Sequence, residues 1–96
     1  MDFRIDFARS ADEHLSALEI DQPKKYQKIL KTLALLANNP RHPGLNSHRY
    51  ENYDRTFGEK IWESYVENKT PRAHRIFWHY GPDNGEITIV AITQHP

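Results

Sequence analysis

Apolar and polar residues alternate through Phe3-Arg4-Ile5-Asp6-Phe7, the period of a half-buried strand. Ser10-Ala11-Asp12-Glu13 then has the form of a capping box, in which Ser10 and Glu13 would satisfy the free amides that open a helix. A short first helix is predicted from there to about Leu18. Pro23 suits the first turn of a second helix, because its missing N–H costs nothing there. Along that helix Tyr26, Ile29, Leu30, Leu33, Leu36 and Ala37 recur at spacings of three and four, while Lys24, Lys25, Lys28 and Lys31 fall on the other side as a solvated face. Asn38-Asn39-Pro40 ends the helix. The stretch from Arg41 to Gly58, with Pro43, Gly44 and several Asn, reads as a long loop of the kind that often carries function.

Ile61 to Glu67 has strand character through Ile61, Trp62, Tyr65 and Val66. Two further β-rich runs, Ala73 to Tyr80 and Glu86 to Gln94, flank Gly81-Pro82-Asp83-Asn84-Gly85 and predict a closing hairpin. The fold class expected is α+β, in the order β-α-α-β-β-β, with a helical hairpin packed on a mainly antiparallel sheet. In the first hairpin strand, His74, Ile76, Trp78 and Tyr80 are apolar enough to lie under the helices. Arg75, Phe77 and His79 then point to the open face.

Composition narrows the function. At 96 residues the chain is expected to be one domain, residues 1–96, and its two Trp, five Tyr and four Phe supply a core despite 38% hydrophobic content. The absence of cysteine excludes disulfides and thiolate chemistry. No run approaches the roughly 18 apolar residues of a membrane span, and Met1-Asp2-Phe3-Arg4 is unlike a signal peptide, so a cytoplasmic protein that does not engage a membrane is expected. Thirteen basic and thirteen acidic residues cancel, against a protein that grips long stretches of nucleic acid. The charge is uneven, however. Between Asn38 and Arg75 stand seven Lys or Arg against five acids, and from Ile76 onward there is neither Lys nor Arg. Either a local phosphate site, with Arg49, Lys60 and Arg72 as RNA contacts, or an ordinary solvated loop fits that distribution.

Six histidines are present, none at metal-ligand spacing, and no metal or other cofactor is expected. Glycine-rich phosphate loops and Gly-x-Ser-x-Gly elbows are also missing. What remains is Arg75 in a strand, His95 after the last strand, and His48, Arg49, Glu51 and Glu63 in the loop and the strand that follows it. Arginine can stabilise a phosphate gaining charge, and histidine can move protons near neutrality. That combination fits a ribonuclease in which a 2′-hydroxyl attacks its own phosphate, and it equally fits a surface arginine and a terminal histidine.

The order of elements, the run His74-Arg75-Ile76-Phe77-Trp78 and the closing Ile87-Thr88-Ile89-Val90-Ala91-Ile92-Thr93-Gln94-His95 resemble the RelE/ParE superfamily of toxin–antitoxin toxins, nearest its RelE/YoeB-like branch. The resemblance covers nearly the whole chain. It implies an mRNA endoribonuclease, associated with the ribosome and neutralised by a cognate antitoxin protein. Arg75 would stabilise the scissile phosphate, His95 would deliver a proton to the leaving 5′-oxygen, and His48, Glu51 or Glu63 would be the base. Pro96 departs from the pattern, since YoeB-like chains carry a tyrosine directly after the histidine; Tyr65 and Tyr80 are substitutes, with core packing as the alternative role for each. The same superfamily implies a second reading, a ParE-like or non-catalytic protein that binds DNA gyrase or only its antitoxin.

Overall fold

The strands and helices of this chain are seen in a computed structural model that describes residues 2–94. In chain order they are β1 (Arg4–Phe7), α1 (Arg9–Asp21), α2 (Pro23–Asn38), β2 (His48–Arg49), α3 (Asp54–Phe57), β3 (Trp62–Tyr65), β4 (His74–Tyr80) and β5 (Glu86–Gln94). Single 3-10 turns occupy Pro43–Leu45 and Glu51–Tyr53. The five strands form one sheet in the order β1-β5-β4-β3-β2, antiparallel except where β1 runs parallel to β5. The α+β class, the helical hairpin and the mainly antiparallel sheet expected from the sequence are all present.

Pro23 opens α2 as its pattern requires, and Ile29, Leu33 and Leu36 are buried against the sheet, each contributing about 1.5–3 kcal/mol by leaving water. Leu30 lies at the edge of that stripe, 36% exposed. The first helix departs from expectation. It starts at Arg9 with Ala8 as its N-cap, no side chain caps it, and it runs on to Asp21. Ala8 is still extended and donates its N–H to Ile89 O at 2.8 Å, so Ser10 falls inside the first turn and cannot cap.

Ser10 instead donates its hydroxyl to Val90 O at 3.3 Å. That carbonyl belongs to a β-bulge. Phe77 pairs with Ala91 but Trp78 pairs with Ile89, leaving Val90 as the extra residue of β5. The bulge turns Ile87, Ile89 and Ile92 toward the helices, beside Ile76 and Trp78, and turns Val90 toward Phe77 and Ile61 on the opposite face.

That opposite face is not open. The segment from Arg41 to Gly58 folds down on it instead of looping free: β2 adds a fifth strand, and Tyr50, Tyr53 and Phe57 cover Ile61, Phe77 and Val90. Ring centroids of Tyr53 and Tyr50 stand 4.8 and 5.1 Å from that of Phe77. Tyr80, expected under the helices, lies beyond them and is 41% exposed. Among the described residues, no helix is long and apolar enough to cross a membrane.

Candidate functional site

The sheet register brings three of the sequence candidates together. His48 of β2 pairs with Glu63 of β3, and Tyr65, two residues further along β3, pairs with Arg75 of β4. Directly paired residues share a face, as do residues two apart, so all four side chains lie on the side covered by the 50–57 segment. His48 Nε2 is 2.7 Å from Glu63 Oε1, and Arg75 Nε is 3.8 Å from Glu63 Oε2. The Arg75 guanidinium lies over the Tyr65 ring at 3.8 Å from its centroid, and the rings of His48 and Tyr65 meet edge to face at 5.7 Å.

Burial orders the cluster. Glu63 is 1% exposed and Arg75 6%, so Arg75 is not the open-face arginine expected from alternation alone; the side chain of His48 is 46% exposed. Arg75 donates Nη1–H to Glu67 O at 2.5 Å and to His74 O at 3.3 Å, which fixes its plane against Tyr65. His48 is fixed from both sides. Its Nδ1 faces Asn46 O at 2.7 Å and its Nε2 faces Glu63, and a carbonyl can only accept, so Nδ1 carries a proton. The His48–Glu63 contact then holds either an imidazolium with a carboxylate or a neutral ring with a carboxylic acid, one proton shared by the pair.

Glu67 ties this arrangement to the helices. Its carboxylate accepts from Lys25 and from Lys28 (3.1 Å) of α2 and from His74 N–H (3.4 Å), while its carbonyl holds Arg75. Burial raises the Glu67 carboxyl, but those hydrogen bonds outweigh it and bring the pKa down to about 2. Tyr53, which sequence reasoning did not single out, has its phenol pushed up by burial, by Tyr50 and by the charge of Glu63. It stays a hydrogen-bond donor beside the cluster. Its only sequence signal was an aromatic residue inside a polar loop.

The remaining candidates lie elsewhere. Glu51 is exposed on its 3-10 turn, and its side chain makes no hydrogen bond or ion pair among the described residues. Arg49 points to the other face from His48, where it donates Nε–H to Ile61 O at 3.1 Å, pairs with Asp54 and lies 6.0 Å over Trp62. Ile61 N–H, then Arg49, hold the Asp54 carboxyl below the usual range. Lys60 and Arg72 are exposed, the latter in a turn at φ 58. His95 and Pro96 lie outside the described residues. No group of three or more His, Asp or Glu that could hold a metal ion occurs among the described residues.

No protein-family model matches the sequence, and no curated protein matches it either. Solved structures do match over their whole length. A YoeB/ParE toxin from Agrobacterium tumefaciens superposes with a TM-score of 0.75 at 10% identity, covering 97% of this chain and 99% of the other. The YoeB dimer from Staphylococcus aureus gives 0.73 at 15% identity with 100% of each chain covered. The RelE–RelB complex from Pyrococcus horikoshii gives 0.69 at 14% identity, covering 98% and 96%. On sheet order, helical hairpin and full-length superposition together, this chain has the fold of the RelE/ParE toxins, YoeB-like members included.

Proposed function

We propose that the protein is the toxin of a toxin–antitoxin pair and that it cleaves mRNA on the ribosome, in the cytoplasm. The observation that carries this reading is the convergence of Glu63, His48 and Arg75 on one patch of the sheet. Once its shared proton has passed to solvent, the His48–Glu63 pair takes the proton from a ribose 2′-hydroxyl. The freed 2′-oxygen attacks the adjacent phosphorus, the bond from phosphorus to the 5′-oxygen breaks, and His95 supplies the proton that the leaving oxygen needs. Arg75 stabilises the phosphate as it gains negative charge, and its two carbonyl contacts and Tyr65 keep it aimed. His48 and Tyr65, the partly exposed members, are those a substrate meets first.

A cognate antitoxin is the protein partner this reading requires, and the resemblance in fold to the RelE of a RelE–RelB complex supports it. The test is a cell-free translation reaction supplied with the purified chain. Cleaved message with wild type and intact message with Arg75→Ala is the expected result. Intact message with wild type would remove the nuclease reading, and a loss of DNA supercoiling by gyrase in its place would favour a ParE-like binder.

A further inference from the structure

A cleft of about 420 Å³ opens on the other face of the sheet, beside the exit of α2. That volume falls within the roughly 300–1,000 Å³ of small-ligand sites. One wall is aromatic. Trp62 and Trp78 stack at 5.9 Å and 18° between planes, and Tyr80 stands edge-on to both at 79° and 83°. The opposite wall is Arg41, His42, Asn46 and Ser47, and no lining residue is acidic.

The polar wall presents donors. The Arg41 side chain makes no hydrogen bond or ion pair among the described residues. His42 accepts Gly44 N–H on Nδ1 at 2.9 Å, which puts the neutral ring's proton on Nε2. Gly44 permits that approach, since a Cβ there would stand 3.1 Å from Nδ1. Flat aromatic surface facing an arginine and an imidazole N–H suits a planar base joined to a phosphate.

The cleft is also wired to the site on the other face. Asn46, on its rim, accepts His48 Nδ1–H through its carbonyl. Ser47 Oγ, 2.7 Å from Ser64 Oγ, connects through it to Trp78 Nε1, 2.8 Å away. Only the two-residue strand β2 separates the two faces at this edge.

We propose that the cleft binds one nucleotide of single-stranded RNA flanking the cleaved bond, base against Trp62 and Tyr80, phosphate at Arg41 and His42. The proposal rests on the RNA-cleaving reading for its substrate and extends it to a strand that wraps the β2 edge.

The chain's two tryptophans both line the cleft, so intrinsic fluorescence reports its occupancy. The experiment titrates the purified chain with a short 2′-O-methylated RNA, which can stack but cannot be cut, and with a nucleoside 5′-monophosphate. Saturable quenching by the oligomer is expected, weakened about tenfold in Arg41→Glu and in Tyr80→Leu and unchanged in the exposed Arg55→Glu, with the fold of each checked by circular dichroism. No quenching, unaltered affinity in both cleft variants, or a monophosphate that binds as tightly as the oligomer would each overturn the strand subsite. Quenching by the methylated strand with intact message in the cell-free translation reaction would sink the nuclease reading and leave the cleft as an RNA-binding site alone.

Discussion

His48 and Glu63 meet at 2.7 Å across the β2–β3 ladder, a half-exposed imidazole on a carboxylate that is 1% exposed. The histidine thereby gives a buried carboxylate a proton path to solvent, which neither residue has alone. Glu63→Gln keeps the side-chain volume and replaces the basic carboxylate with an amide that cannot take up a proton. RNA cleavage is expected to fall by about 10²-fold or more, with the unfolding midpoint changed far less. Cleavage at the wild-type rate in that variant would exclude Glu63 as part of the base.

Arg75 depends on its shape as well as its charge, because it stacks on Tyr65 while forking onto two carbonyls. Arg75→Lys keeps the charge and loses the plane. Cleavage in that variant should drop by about 10²–10³-fold. Tyr65→Leu should lower stability by about 1 kcal/mol and reduce cleavage less than Arg75→Lys does, which chemical denaturation and a cleavage assay on the same samples would separate.

Acid should lower the stability of the chain over two separable pH ranges. Burial and the charge of Lys25 depress His74 below its ordinary 6.5, so below that pH the unfolded chain takes up a proton that the folded chain resists, and stability falls. Glu67 is depressed from 4.5 to about 2, so its contribution is complete above 4.5 and is lost as pH falls through about 2. Urea midpoints measured from pH 8 down to 3 should lose the first step in His74→Leu and flatten in the second in Glu67→Gln. Parallel curves for all three proteins would contradict both assignments.

Ser10 and Glu13 separate the sequence reading of α1 from its structure. A capping box would make both matter. Here Ser10→Ala should cost about 0.5–1 kcal/mol through the lost bond to Val90 O, and Glu13→Ala should be near neutral, since its contact with Arg9 is an exposed pair. Equal losses on denaturation would restore the capping box.

The α2 stripe and the closing hairpin were legible because period and turn residues act locally. The Val90 bulge left a trace too, in the change from two- to three-residue spacing across Ile87, Ile89 and Ile92. Strand β2 was not legible, because two residues carry no period and His48 and Arg49 pair only once β3 is there to receive them. The choice among His48, Glu51 and Glu63 depended on the same missing register. Arg75 was found as a candidate, yet its burial was invisible, since it comes from Tyr65, Glu63 and the Glu67 carbonyl, which only the β3–β4 register brings around it.

The two apolar clusters on either side of the sheet are unequal, with ten buried members toward the helices and three beneath the 50–57 segment. Local opening free energy follows the apolar surface that a segment covers, so that segment should lift away at a fraction of the cost of unfolding the hairpin. Amides of Tyr53 and Phe57 should exchange with solvent well before those of Ile76 and Ile89. Such breathing exposes Phe77, the register partner of Glu63, without the sheet coming apart.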